Sequence, residues 1–278
     1  MPPLASGNDY TMHPMTRLLH ERKKQKGYLF IPYIAYGDPD AKITFEIICK
    51  MVEGGAATVE IGLPFTDPVA DGPTLERAFR RSLKHEFKMT EVFSMLGKLH
   101  RKYPKFPFTI MGYANIFYQA GFRTLLEKFY DLGVQAVIIP DIPFDEKKYI
   151  IEKEGLADVL TRVAWIDFIT PTTTVKRMQE ITREANGFVY LVSYKGVTGQ
   201  KNFTLKPLKP LIKSIRKATR VPLVVGFGIK DKMHASEAVR LTDGFIMGTV
   251  FHEMIEHNIE RAPAIPHEIG WALPNMLP

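Results

Sequence analysis

One cysteine, Cys49, in 278 residues leaves no possibility of a disulfide within the chain and fits a reducing compartment. No apolar run approaches the roughly 20 residues of a membrane span, and the first residues lack the apolar core of a signal peptide. A cytoplasmic location is the resulting expectation. Zinc-finger spacing, RNP-like motifs and the aromatic pattern of single-strand binders are missing as well. Their absence governs how the net charge of +7 is read. The basic residues crowd into Arg22-Lys-Lys-Gln-Lys26 and into 206–220. In the second stretch Leu208, Leu211, Ile212 and Ile215 recur at helical spacing, with Lys209, Lys213, Arg216 and Lys217 elsewhere on the wheel. That is an amphipathic helix with a solvated basic face, so the charge serves solubility or anion attraction rather than nucleic acid. The eight histidines are scattered. His252 and His257 do not share a helical face, so they read as packing or surface residues rather than a metal site.

What the chain does contain is alternation. Hydrophobic residues make up 45% and charged residues 24%, enough to build a large globular core. Short β-rich runs at 29–35, 58–61, 107–111, 136–139, 163–169, 188–192, 223–226 and 244–247 are separated by helical patterns such as 42–52, 89–100, 122–132, 174–184 and 234–241. Strands alternating with helices predict parallel pairing through right-handed crossovers. With eight strand-like runs, the closed solution is a single (β/α)8 TIM barrel of the α/β class. An open doubly wound sheet is the alternative, but Gly226-Phe-Gly228 lacks the third glycine of its fingerprint. The expected organisation is a flexible N-terminus over 1–12, a barrel over 13–260 with an additional N-terminal helix, and a Pro-rich tail over 261–278 whose prolines argue against a final helix.

A barrel places function at the C-terminal ends of its strands. The run Glu60-Ile-Gly-Leu-Pro-Phe-Thr-Asp-Pro-Val-Ala-Asp71-Gly-Pro73 stands at one such end. Strand alternation puts Val59 and Ile61 on one face and Thr58 and Glu60 on the other. If helices cover the first face, Glu60 points into a dry interior, where a carboxylate costs several kcal/mol unless neutralised. Burial raises its pKa towards the range useful for proton transfer. Asp67 and Asp71 follow in the loop, Tyr113 and Asn115 after the third strand, and Asp141 after the fourth. Glycines follow the sixth, seventh and eighth strands at Gly196-Val-Thr198-Gly199, Gly226-Phe-Gly228 and Gly248-Thr249. Free backbone N–H groups there suit a phosphate.

These stretches, together with Gly37-Asp38-Pro39, Tyr113-Ala-Asn115 and Asp141-Ile-Pro143, run in order over about 28–258. The chain resembles the tryptophan synthase α subunit family. The resemblance implies retro-aldol cleavage of indole-3-glycerol phosphate to indole and glyceraldehyde 3-phosphate. It makes Glu60 the general acid and base and Asp71 the partner of the indole N–H. Tyr33, Met111, Gly112 and Tyr113 would line the indole slot. The phosphate would meet Gly199, Gly228, Gly248 and Thr249, and the loop bearing Thr198 would close over the substrate. The family also implies a β subunit partner in an α2β2 complex, contacted through Asp67. Pyridoxal phosphate (PLP) would belong to that partner, with no cofactor and no metal in this chain.

Several residues depart from the family pattern. Tyr33 stands where Phe is usual, Gly112 where a larger apolar residue is common, and Pro140 where a small residue is common. Tyr194-Lys195 replace small polar residues, and Thr249 replaces Ser. Two readings follow: an active lyase, or a weakened subunit that acts chiefly as an allosteric activator of its partner.

Overall fold

The computed structural model describes residues 12–84, 86–193, 204–226 and 228–278. Nine parallel strands form its sheet: β1 Leu29–Ala35, β2 Val59–Gly62, β3 Phe108–Met111, β4 Val134–Ile138, β5 Ala164–Trp165, β6 Asp167–Ile169, β7 Val189–Val192, β8 Leu223–Gly226 and β9 Gly244–Met247. The helices are α1 Pro14–Lys26, α2 Ala41–Glu53, α3 Pro73–Leu83, α4 Met89–Lys102, α5 Ala114–Ala120 and α6 Phe122–Asp131. They continue with α7 Phe144–Lys153, α8 Val175–Glu184, α9 Lys209–Ala218, α10 Lys232–Leu241, α11 Thr249–His257 and α12 Ile265–Met276. None of the described helices is long and apolar enough to cross a membrane.

The strand order is β5-β4-β3-β2-β1-β9-β8-β7-β6. Its two ends are consecutive in the chain, separated by Ile166 alone, so the sheet curls round until its edges meet. The fifth expected strand is therefore present as two short pieces. One pairs with β4 and the other with β7, and the Ile166 amide still donates to the Val137 carbonyl at 2.9 Å. The break is pinned by a buried cation from α7: Lys147 Nζ donates to both Asp167 carboxylate oxygens at 2.8 Å and to the Trp165 carbonyl at 2.9 Å.

Two apolar shells follow from the alternation of side chains along each strand. Phe30, Ile34, Val59, Ile61, Phe108, Ile110, Val137, Leu191 and Phe245 face the helices. Leu29, Ile31, Tyr33, Met111, Ala136, Ile138, Ile166, Tyr190 and Val224 fill the interior. Helix α1 closes the floor. His13 Nδ1 accepts from the Met15 amide at 3.1 Å to cap it, and Pro14 occupies its first turn, where a missing N–H is harmless. Met15 and Leu19, both fully buried, complete the interior cluster from below.

The C-terminus corrects the sequence expectation. After a short 3-10 stretch, Ile259–Ala264, the tail forms α12. Pro266 falls in its first turn, where proline is tolerated, and Pro274 falls within its last turn. An internal proline costs about 3 kcal/mol. Ile265, Ile269 and Leu273 are buried on one face and offset that at roughly 1.5–3 kcal/mol each. Leu273 and Gly270 sit against Gly54 and Lys50 at the end of α2.

Candidate active site

Glu60 lies at the centre of β2, opposite Tyr33 of β1 and Thr109 of β3. Its neighbours Val59 and Ile61 belong to the outer shell, so its own side chain turns inward, 1% exposed. Beneath it Thr58 Oγ1 and Thr109 Oγ1 satisfy each other at 2.9 Å. Among the described residues Glu60 Oε2 has no hydrogen-bond partner. Burial, reinforced by the nearby Asp71 charge, pushes its pKa up to about 8.

Asp71 reaches the same region from the loop after β2. The loop is shaped by two tight turns, with Val69 N donating to Asp67 O at 2.9 Å and Asp71 N to Pro68 O at 3.0 Å. Tyr113 Oη donates to Asp71 Oδ2 at 2.6 Å and accepts from the Ala70 amide at 3.1 Å, clamping the loop from β3. The Tyr113 ring stacks on Phe65 with centroids 5.0 Å apart. Burial lifts the Asp71 pKa to about 6 against the opposing pull of the Tyr113 hydrogen bond. The two carboxyl groups thus differ in acidity because one is fully enclosed and unpaired while the other receives a phenol. This separation is what an acid–base site needs to hold one proton and one charge near neutrality.

Two tyrosines from other strands complete the mouth. Tyr33 is 3% exposed, and among the described residues its Oη has no hydrogen-bond partner. Burial, reinforced by the charges of Glu60 and Asp71, holds the proton on Tyr190 of β7. Each phenol lies over a glycine: a Cβ would come within 2.1 Å of Tyr33 Oη at Gly62 and 2.3 Å of Tyr190 Oη at Gly226. Met111 faces the interior beside them. Gly112 is turned the other way, since a Cβ there would meet Leu63 at 3.1 Å and Phe117 at 3.2 Å, both of the outer shell.

A cavity of about 520 Å³ leaves this mouth past Ala70, Met111 and Tyr190 and extends to Trp165, Phe168 and Lys147. Glu60 and Asp71 are not among its lining residues. Gly228 has φ 83°, and Gly248 precedes α11, whose N-terminus begins at Thr249 beside the ends of β8 and β9. Thr198 and Gly199, like Tyr194 and Lys195, lie outside the described residues. Asp67 is exposed at the loop tip, where Thr66 Oγ1 donates to Asp67 Oδ2 at 2.6 Å, beside Val69 at 82% exposure. Asp141 accepts the Ala114 amide at 2.9 Å at the start of α5. No group of three His, Cys, Asp or Glu side chains that could hold a metal ion occurs among the described residues.

Sequence reasoning did not anticipate the cluster behind the loop that follows β2. Asp38 and His252 are both fully buried. The Ala35 amide donates to His252 Nε2 at 3.1 Å, so the ring proton sits on Nδ1, which donates to Asp38 Oδ2 at 2.6 Å. Arg81 of α3 adds a bidentate pair to Asp38 at 2.7 and 2.9 Å. Burial alone would raise the Asp38 pKa, but the hydrogen bonds from His252 and Arg81 hold it below the usual range. A second pair, Arg77 with Glu256 of α11 at 2.7 Å, runs alongside. Helix α3, which starts two residues after Asp71, is thus tied to the barrel at the far side of the loop.

Comparison with known proteins fits this geometry. The family model for the tryptophan synthase alpha chain matches residues 19–268. The tryptophan synthase alpha chain of Leptospira interrogans is 36% identical over 232 residues, covering 83% of this chain and 86% of that one. That of Alkaliphilus metalliredigens is 34% identical over 248 residues, covering 88% and 90%. Among solved structures, tryptophan synthase subunit alpha from Legionella pneumophila superposes with a TM-score of 0.83 at 27% identity, covering 96% of this chain and 97% of that chain. A chain from the structure of the tryptophan synthase a2b2 complex of Pyrococcus furiosus superposes with a TM-score of 0.79 at 28% identity, covering 90% and 97%. With a family model spanning most of its length and curated relatives above one-third identity, the chain belongs to the tryptophan synthase alpha chain family.

Proposed function

We propose that the chain cleaves indole-3-glycerol phosphate to indole and glyceraldehyde 3-phosphate, as the α subunit of a tryptophan synthase α2β2 complex. The observation that carries this reading is the Glu60 carboxyl, buried, unpartnered at Oε2 and held protonated up to about pH 8, next to Asp71, which ionises near pH 6.

Glu60 starts protonated and gives its proton to the indole ring carbon that bears the side chain. Asp71, ionised, accepts a hydrogen bond from the indole N–H and balances the positive charge that appears on the ring. Glu60, now a carboxylate, takes the proton of the adjacent side-chain hydroxyl. The carbon–carbon bond breaks, its electron pair returns to the ring, and the oxygen becomes the aldehyde carbonyl. The proton account closes on a single residue, which returns to its starting state. Tyr113 keeps Asp71 in place, and Tyr33, Met111 and Tyr113 form the walls of the indole slot.

The phosphate is assigned to backbone at Gly199, Gly228 and Gly248 and to Thr249, where the N-terminus of α11 favours an anion. The loop bearing Thr198 closes over the substrate and excludes water. The chain works in the cytoplasm with its own side chains, the PLP cofactor being held by the β subunit. The exposed Asp67–Val69 loop tip is assigned to the contact with that partner.

The test is indole-3-glycerol phosphate turnover with and without the cognate β subunit. Wild type cleaves, faster with the partner, and Glu60→Gln loses about 10²–10⁴-fold in turnover while still associating. Unchanged turnover in Glu60→Gln would remove Glu60 from the mechanism.

A further inference from the structure

Two buried polar atoms at the barrel mouth lack a hydrogen-bond partner among the described residues, Tyr33 Oη and Glu60 Oε2. They belong to residues paired in register on adjacent strands, and both side chains face the interior. An enclosed hydroxyl left unsatisfied destabilises the free protein. The reaction outlined above employs Glu60 and leaves this phenol idle.

Packing does not ask for the oxygen. It occupies the space where a side chain on Gly62 would stand, 2.1 Å from the Cβ position. The ring cannot swing elsewhere, because Gly248 lies against its other face, with a Cβ position 3.0 Å from the ring, and His252 stands 5.8 Å away between centroids. The titratable groups facing it are Glu60, Asp71, Tyr113, Tyr190 and His252. Tyr113 is engaged with Asp71 and Ala70, and His252 with Asp38 and Ala35. The phenol and Glu60 therefore present their unused hydrogen-bonding capacity to whatever enters the mouth.

We propose that Tyr33 is a further catalytic residue, whose phenol O–H donates a hydrogen bond to the substrate hydroxyl that Glu60 deprotonates. This rests on the reaction assigned in the preceding subsection. A hydroxyl offers one proton and accepts two hydrogen bonds. It gives its proton towards Glu60 Oε2 while accepting from Tyr33, so the phenol aims that proton at its acceptor. On cleavage the oxygen becomes a carbonyl, which still accepts from Tyr33, and the phenol keeps its own proton throughout. Burial and the two neighbouring carboxylates hold that proton on the phenol, so it acts as donor and not as base.

The experiment is Tyr33→Phe, which keeps the ring and removes the oxygen. The kcat for indole-3-glycerol phosphate cleavage falls about tenfold, the scale of one hydrogen bond. Binding of the analogue with an unsubstituted propyl phosphate chain, which lacks the hydroxyl, stays within about twofold of wild type, as the pairing predicts. The melting temperature does not fall, because the deleted oxygen has no partner among the described residues. An unchanged kcat, a matching loss of analogue binding, or a lowered melting temperature each overturns the proposal, the last two by giving the hydroxyl a packing or structural role. Glu60→Gln is run in parallel. Full activity there, or no cleavage by wild type, overturns the lyase reading and this proposal with it, whereas an inactive Glu60→Gln beside a fully active Tyr33→Phe overturns this proposal alone.

Discussion

At the scale of single residues, the pair Glu60 and Asp71 sets how the molecule responds to pH. The proposed mechanism needs Asp71 ionised and Glu60 protonated, so the expected rate rises as pH passes about 6 and falls beyond about 8. The two limbs belong to the coupled pair rather than to either group alone. A pH–rate profile that rises steadily through 9 would contradict the assignment. Stability carries a second signature. Glu60 is harder to ionise in the folded chain than at its ordinary 4.5, so folding loses stability as pH climbs from about 4.5 to about 8. The loss has a slope of at most about 1.4 kcal/mol per pH unit. Glu60→Gln lacks that contribution, and denaturant midpoints measured across the window compare the two slopes. Glu60 was legible in the sequence because a charged residue at one position of a period-two apolar run has only the interior to face. Tyr190 occupies an equivalent inward position on β7, yet an aromatic in a strand carries no mark that separates wall from packing. Tyr113 was legible as a site residue but not as the group holding Asp71, since that hydrogen bond joins two distant loops.

At the scale of elements, α3 gives the clearest prediction. Its hold on the barrel runs through Arg81 and the buried Asp38, whose remaining partner is His252. Arg81→Met strips a buried carboxylate of its countercharge, which costs about 3–5 kcal/mol. Urea unfolding measures that loss, and a change below about 1 kcal/mol would mean the carboxylate finds water or simply protonates. Because α3 starts two residues beyond Asp71, cleavage is expected to suffer as well as stability. The alternation of strands and helices was readable almost throughout, since Val, Ile and Phe runs bounded by turn residues differ plainly from amphipathic stretches. The split between β5 and β6 was not. The run 163–169 is continuous in sequence, and only the pairing of Asp167 with a lysine from another helix marks where it changes neighbours. The Asp38 cluster escaped for the same reason, being made of groups 43 to 214 residues apart.

Across the whole molecule, the C-terminal helix is a structural part of the barrel. Leu273 is 1% exposed and packs at the end of α2. Leu273→Ala is expected to cost about 2–5 kcal/mol in denaturant unfolding, the usual range for a buried leucine. A cost under about 0.5 kcal/mol would show α12 to be loosely docked. The sequence misled here because proline was weighed by number and not by position. Pro266 enters where helices accept it, and the apolar spacing of Ile265, Ile269 and Leu273 carries more weight than Pro274.

The plug formed by α1 has a bearing on traffic. Met15 and Leu19 fill the lower end of the interior, so among the described residues the approach to the proposed site lies at the strand ends. On the proposed reaction one substrate enters and two products leave from that side. A lid or a partner seated over the rim therefore governs the order of exit as much as it governs entry.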